Sequence, residues 1–148
     1  MKVEYFGRMS RFDECIRKKK LVREKTDEAL IKKELDQADY DLERAKNSYK
    51  DADYKWSTVQ AYYVIFHSAR ALLFSNGYRE KSHRCLYYAL EHLFADSLDS
   101  SSLGDFRLAM SLREDADYGY IYSESSAKES IENAESFLKT ARLVLKVD

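Results

Sequence analysis

A chain of 148 residues with 25 basic and 26 acidic side chains carries a net charge of −1, so it has the length of one domain and is not a polycation that grips nucleic acid by bulk charge. Proline is absent, glycine occurs four times and aromatic residues make up 14%. Helix interiors exclude proline most strongly, so this composition argues for an all-α fold.

The leading segment, residues 1–25, carries the weakest pattern. Phe12, Cys15, Ile16 and Leu21 or Val22 fit one apolar edge, as in a short leading helix over Arg11 to Arg23. Arg17, Lys18, Lys19, Lys20 and Arg23 form a local basic cluster, diluted by Asp13, Glu14 and Glu24. It reads either as a solvated face or as an anion- or RNA-contacting patch.

Thr26-Asp27-Glu28 predicts a helix start, with a capping hydroxyl ahead of acids in the first turn. Leu30, Ile31, Leu35, Ala38, Leu42, Ala45 and Tyr49 then recur at helical spacing, and the intervening charged residues predict a wet opposite face. Asp51-Ala52-Asp53 marks a turn, with Asp53 capping the next helix.

That next helix opens the densest apolar stretch, Trp56 to His92. Trp56, Val59, Tyr62, Tyr63, Phe66, Ala69, Leu72 and Leu73 lie on one broad face, and Asn76-Gly77 stops the helix. Leu86, Ala89, Leu90 and Leu93 follow on a second helix, giving a hairpin that holds most of the expected core. Asp99 to Ser102 reads as a loop, with Ser102 and Asp105 placed as a capping box for a helix carrying Leu103, Phe106, Leu108, Ala109 and Leu112. Gly119 ends or interrupts it. Ser123 to Ser126 start a last helix with Ala127, Ile131, Ala134, Phe137, Leu138, Ala141 and Leu145 inside. No strand signal is legible. The expected architecture is one antiparallel up-and-down bundle of four to five main helices across 1–148.

Cys15 and Cys85 lie far apart with no metal-ligand spacing, so the expectation is two unpaired thiols in a reducing compartment. The stretch MKVEYFGRMSRFDE lacks an apolar signal core, and no run approaches the roughly 18 apolar residues of a span. A cytoplasmic protein without membrane contact is the corresponding expectation.

Strong catalytic signatures are absent from the sequence: no Gly-rich phosphate loop, no HExxH, no Cys pair for zinc, no nucleophile elbow. Neither a metal nor a cofactor is expected. Polar residues in apolar settings are the candidates instead. Arg70 lies in the central helix, where its head reaches a carboxylate, solvent or a ligand. His67 sits at the edge of the stripe. Lys81-Ser82-His83 opens a helix, a place that suits either a phosphate or ordinary capping. Arg113 ends an apolar stripe and is followed by acids, which offers an internal salt bridge or an anion site. The twelve tyrosines, Tyr118, Tyr120 and Tyr122 among them, suit a dimer interface or base stacking.

The run Ala61 to Leu73, then Gly77, then Lys81-Ser82-His83, then Arg113 through Asp117-Tyr118, resembles the HEPN domain, in particular the small stand-alone HEPN proteins of archaea and bacteria. The resemblance covers roughly residues 26 to 145. It implies a helical bundle that dimerises. Many such proteins are metal-independent ribonucleases, while others bind nucleotides or partner a small nucleotidyltransferase in toxin–antitoxin pairs. Catalytic members carry an Arg followed, after four to six intervening residues, by a His. Here Arg113 is kept, but the allowed positions hold Tyr118, Gly119 and Tyr120. A phenol titrates near pH 10, so it makes a poor base at neutral pH and still donates a hydrogen bond.

The resemblance therefore implies a homodimer that binds nucleotide or RNA without efficient catalysis, with a nucleotidyltransferase-type partner in a toxin–antitoxin pair. The expected ligand-binding residues are Arg113, Tyr118, Tyr120, Lys81, His83 and Arg70. Two alternatives stay open: a metal-independent ribonuclease with a degenerate Arg…His motif, in which His83 supplies the imidazole, or a helical interaction module without a ligand.

Overall fold

The computed structural model describes residues 9–148. Six helices run α1 (Arg11–Arg17), α2 (Glu28–Lys50), α3 (Tyr54–Ser75), α4 (His83–Leu93), α5 (Ser100–Asp117) and α6 (Glu124–Leu145), with strands β1 (Leu21–Arg23) and β2 (Tyr78–Glu80) between them. The fold is all-α, as expected. Each helix starts on a short polar side chain that accepts a backbone N–H: Ser10, Asp27, Asp53, Ser82, Asp99 and Ser123. Two starts differ from expectation. Asp27 rather than Thr26 caps α2, and α5 begins at Ser100, because Asp99 Oδ1 accepts the Ser102 N–H at 2.8 Å.

α3 is the axis. It packs against α2, α4, α5 and α6, and its Val64, Ile65, Leu72 and Leu73 lie in the centre of the core. Ala38 and Ala45 of α2 are fully buried, and their small side chains let α2 approach closely. Ser57 closes that approach by donating its hydroxyl to the Ala45 carbonyl at 3.0 Å. Trp56 departs from the expected inward face. It is exposed in the first turn of α3, beside the Lys55 ammonium.

The helix stop at Gly77 is conformational: φ is +80°, and an added Cβ would also press the Glu24 carbonyl. The chain then continues as β2, which pairs antiparallel with β1 in the register Leu21↔Glu80, Val22↔Arg79, Arg23↔Tyr78. Sequence periodicity shows no strand here, since two three-residue strands are too short to display alternation. The leading helix is correspondingly shorter than expected. It ends at Arg17, and Lys19 turns the chain with φ 59°.

α1 docks on α4. Phe12 stacks on His92 with ring centroids 4.2 Å apart, and Arg11 donates to Tyr88 Oη at 2.7 Å. This docking brings Cys15 and Cys85 together as a disulfide, with Cα atoms 5.9 Å apart across 70 residues of sequence. The expectation of two unpaired thiols is thereby corrected, and the compartment argument that leaned on it loses that support. In the chain-entropy view, closing a loop of this size disfavours the unfolded chain by roughly 4 kcal/mol. Among the described residues, no helix is long and apolar enough to cross a membrane.

The α2–α3 contact contains a polar network the sequence did not reveal. Glu34, on the expected wet face of α2, is only 8% exposed. Its Oε1 meets His67 Nδ1 at 2.8 Å and Arg70 Nη1 at 3.3 Å, while Arg70 Nε reaches Glu80 at 3.1 Å. Burial pushes the Glu34 carboxyl up, but the His67 hydrogen bond and the Arg70 charge outweigh it, and the net pKa falls below the ordinary 4.5. The folded protein thus holds this proton less tightly than the unfolded chain. The stabilisation is present above about pH 4.5 and is lost as pH falls through the folded-state pKa. Glu34→Gln leaves Arg70 with Glu80 as its remaining counter-charge and is expected to lower unfolding free energy by about 2–4 kcal/mol in urea denaturation at pH 7. The deficit should shrink in acid, where wild type loses the same charge.

Candidate functional site

The middle of α3, the first turn of α4 and the C-terminal half of α5 enclose a cavity of about 530 Å³, with Tyr62, Tyr63, His83, Arg84, Arg107 and Arg113 on its wall. Three of these are arginines from two helices, opposed by one wall carboxylate, Glu114. A larger groove of about 860 Å³ lies between the start of α2 and the end of α6. Its Arg142 is already held by Asp39 and the Asp148 carbonyl, and its Lys32 by Asp36, which leaves less unpaired charge for a ligand.

Arg113 stands in the last turns of α5 with 19% of its side chain exposed. Nη2 donates to Tyr63 Oη at 3.3 Å and lies 3.6 Å from Asp117, one helical turn away. Asp117 thus pairs with one edge of the guanidinium only, at Nη2. Nε is buried and has no hydrogen-bond partner. The guanidinium carbon also sits 5.7, 5.8 and 5.4 Å from the ring centroids of Tyr62, Tyr63 and Tyr118. It is held by aromatic faces with donors to spare, an arrangement that suits an arriving anion.

His83 enters the same cavity from α4. Ser82 caps that helix and fixes its first turn, and Cys85 of the same turn carries the disulfide. The imidazole stacks on Phe66 at 4.4 Å, and its Nδ1 meets Tyr62 Oη at 2.5 Å. Burial against these rings, followed by the charges of Arg113 and Arg70, lowers its pKa below 6.5. His83 is therefore neutral at pH 7. Where Tyr62 donates to Nδ1, Nε2 carries the hydrogen; in the other tautomer Nε2 is a free base. Burial pushes the Tyr62 phenol well above its usual range, so Tyr62 remains protonated beside it.

Of the six expected ligand residues, Arg113 and His83 are brought together on the wall. Tyr118 flanks Arg113 through its ring and is 70% exposed. Tyr120, 74% exposed, turns away from the helix with φ 56°. At the preceding Gly119 an added Cβ would lie a tight 3.1 Å from the Asp115 carbonyl. Lys81 is exposed just before α4, outside the cavity wall, and Arg70 is committed to Glu34 and Glu80. Sequence reasoning missed Arg84, Arg107, Tyr62 and Tyr63 as wall residues. Arg84 was legible as a neighbour of His83, but Arg107 needed the packing of α5 on α3. Among the described residues, no group of three His, Cys, Asp or Glu is placed to hold a metal ion.

A bundle wrapped on a buried central helix, with an arginine near the end of α5 facing a cleft, fits a helical bundle of the HEPN type. Comparison with known sequences bears this out. The HEPN domain family model matches residues 31–147, and the chain belongs to that family. It is also similar to a UPF0332 protein of Archaeoglobus fulgidus, 34% identical over 108 residues, which span 68% of this chain and 83% of the relative.

NMR titration of the imidazole checks the electrostatics. His83 is expected to titrate below 6.5, and Arg113→Met, which removes the second cause of the shift, should move it part of the way back up.

Proposed function

We propose that the cavity binds phosphate groups of RNA or a nucleotide, with Arg113 as the principal anion contact and His83, Arg84 and Tyr118 around it. The observation that carries this reading is the convergence of Arg84, Arg107 and Arg113 on one cavity wall against a single wall carboxylate, Glu114. Guanidinium groups that outnumber the carboxylates around them favour a phosphate, whose oxygens accept from their N–H groups. Arg113 is backed by the Tyr63 hydroxyl, which accepts from Nη2, by the Tyr118 ring and by Asp117 at 3.6 Å. Tyr118, at one of the three positions where the family's histidine is allowed, is suited to stacking or donating and unsuited to proton abstraction at pH 7.

Arg113→Ala is expected to weaken binding of a single-stranded oligoribonucleotide or nucleoside triphosphate by about 10- to 100-fold in fluorescence anisotropy, the loss of one charge-assisted contact pair. Equal affinity in wild type and variant would remove the site. A bound phosphate favours the charged imidazole, so it raises the His83 pKa. Affinity should therefore be flat at high pH, strengthen as pH falls through the bound-state pKa and level off below the free-state one, and His83→Gln should flatten that profile.

One observation favours a second reading, metal-independent ribonuclease activity: a neutral imidazole shares the cavity with the arginine. In that case His83 moves a proton at the ribose hydroxyl while Arg113 neutralises the scissile phosphate. RNA cleavage that persists in EDTA and is lost in both His83→Ala and Arg113→Ala would establish it. Binding without cleavage over varied RNAs leaves the non-catalytic reading alone.

A further inference from the structure

The basic turn between α1 and β1 has no role in the cleft as described, yet the fold fastens it to the cleft's lip. The Lys81 N–H donates to the Lys20 carbonyl at 2.8 Å, which carries the Leu21↔Glu80 register one pair further. Lys20 and Lys81 thus stand opposite each other. Leu21 is buried, so strand alternation turns Lys20 outward, and directly opposed residues share a face. Like charges in that relation repel. The neighbouring carboxylates do not relieve them: Glu24 is taken by Arg79 and Glu80 by Arg70. Among the described residues, Lys18, Lys19, Lys20, Lys81 and Arg84 pair with no carboxylate, and all five are exposed. Arg84 is on the cavity wall, three residues after Lys81 and so at most about 10 Å along the chain. The turn itself precedes residue 31, outside the part of the chain that matches the HEPN family.

We propose that the α1–β1 turn, with Lys81 and Arg84, extends the Arg113 cleft into a cationic track for the backbone of single-stranded RNA several nucleotides long. This rests on the phosphate-binding reading of the cleft and adds the class of ligand, a polynucleotide rather than a mononucleotide. Exposed ammonium groups neutralise successive phosphates without reading bases. The track leads to a guanidinium flanked by the rings of Tyr62, Tyr63 and Tyr118, which suits a nucleotide better than an acidic peptide.

The test measures affinities of labelled oligouridylates of about 4 and about 15 nucleotides, a range that brackets single-strand site sizes, across a salt series. Wild type, Lys18→Gln/Lys20→Gln and Arg113→Ala are compared, with thermal melts to verify folding; both lysines are exposed and Lys19, at positive φ, is left in place. Wild type is expected to bind the longer oligomer more tightly. The double variant should lose about tenfold on the longer oligomer and little on the shorter, and its log–log salt slope should fall by about 1.4 for two lost phosphate contacts. Arg113→Ala should weaken both lengths. If the double variant matches wild type on the longer oligomer, the track is overturned and the cleft stands. If Arg113→Ala is silent while the double variant loses affinity, the cleft reading fails and with it the continuity proposed here. Binding of neither oligomer by wild type overturns both, and equally tight binding of a polyglutamate chain assigns the turn to an acidic protein instead.

Discussion

The structure depends on keeping α3 buried on nearly every side. A helix so enclosed has to satisfy its polar side chains inside the protein. Thr58 and Ser68 do so locally, donating to the carbonyls of Tyr54 and Val64. The others reach across to neighbouring helices. His67 and Arg70 find Glu34 and Glu80, Tyr62 finds His83, and Tyr63 accepts from Arg113. Both the polar network on one side of α3 and the cleft on another follow from that single requirement. The cleft is the incompletely satisfied side, where Arg113 keeps a donor without a partner.

The two arginines of the central region show how context divides similar side chains. Arg70 has two carboxylates and is fully used in holding α2, α3 and β2 together. Arg113 has one carboxylate, Asp117 at 3.6 Å, and three aromatic rings. Aromatic faces hold a guanidinium in place without neutralising it. The field of Arg113, after burial, also holds the His83 pKa below 6.5.

Much of the fold was legible because helices announce themselves. Period and caps placed α2 through α6, and Asp53, Ser82, Ser123 and Gly77 act where their chemistry suggested. Features made by distant pairing were hidden. The Cys15–Cys85 bond and the β1–β2 ribbon both follow from the docking of α1, whose short apolar edge says nothing of its partner. Glu34 was hidden for a related reason, since a charged residue on a helix reads as wet unless its counter-charges on the next helix are known. In the site, Arg113 stood out by motif, and His83 by its place at a helix start. Their meeting in one cavity required tertiary structure.

The alanines between α2 and α3 give the pair a close but smooth contact, along which two long helices could slide. Glu34, with the Ser57–Ala45 hydrogen bond, opposes this. A displacement of α2 by one turn, about 5.4 Å, would carry its carboxylate away from His67 and Arg70 and leave Arg70 with Glu80 alone. The network thus acts as a detent: it selects one alignment from several that the apolar surfaces would accept. Since Tyr62 and Tyr63 share a helix with His67 and Arg70, the same detent sets where the cleft wall stands relative to the rest of the bundle.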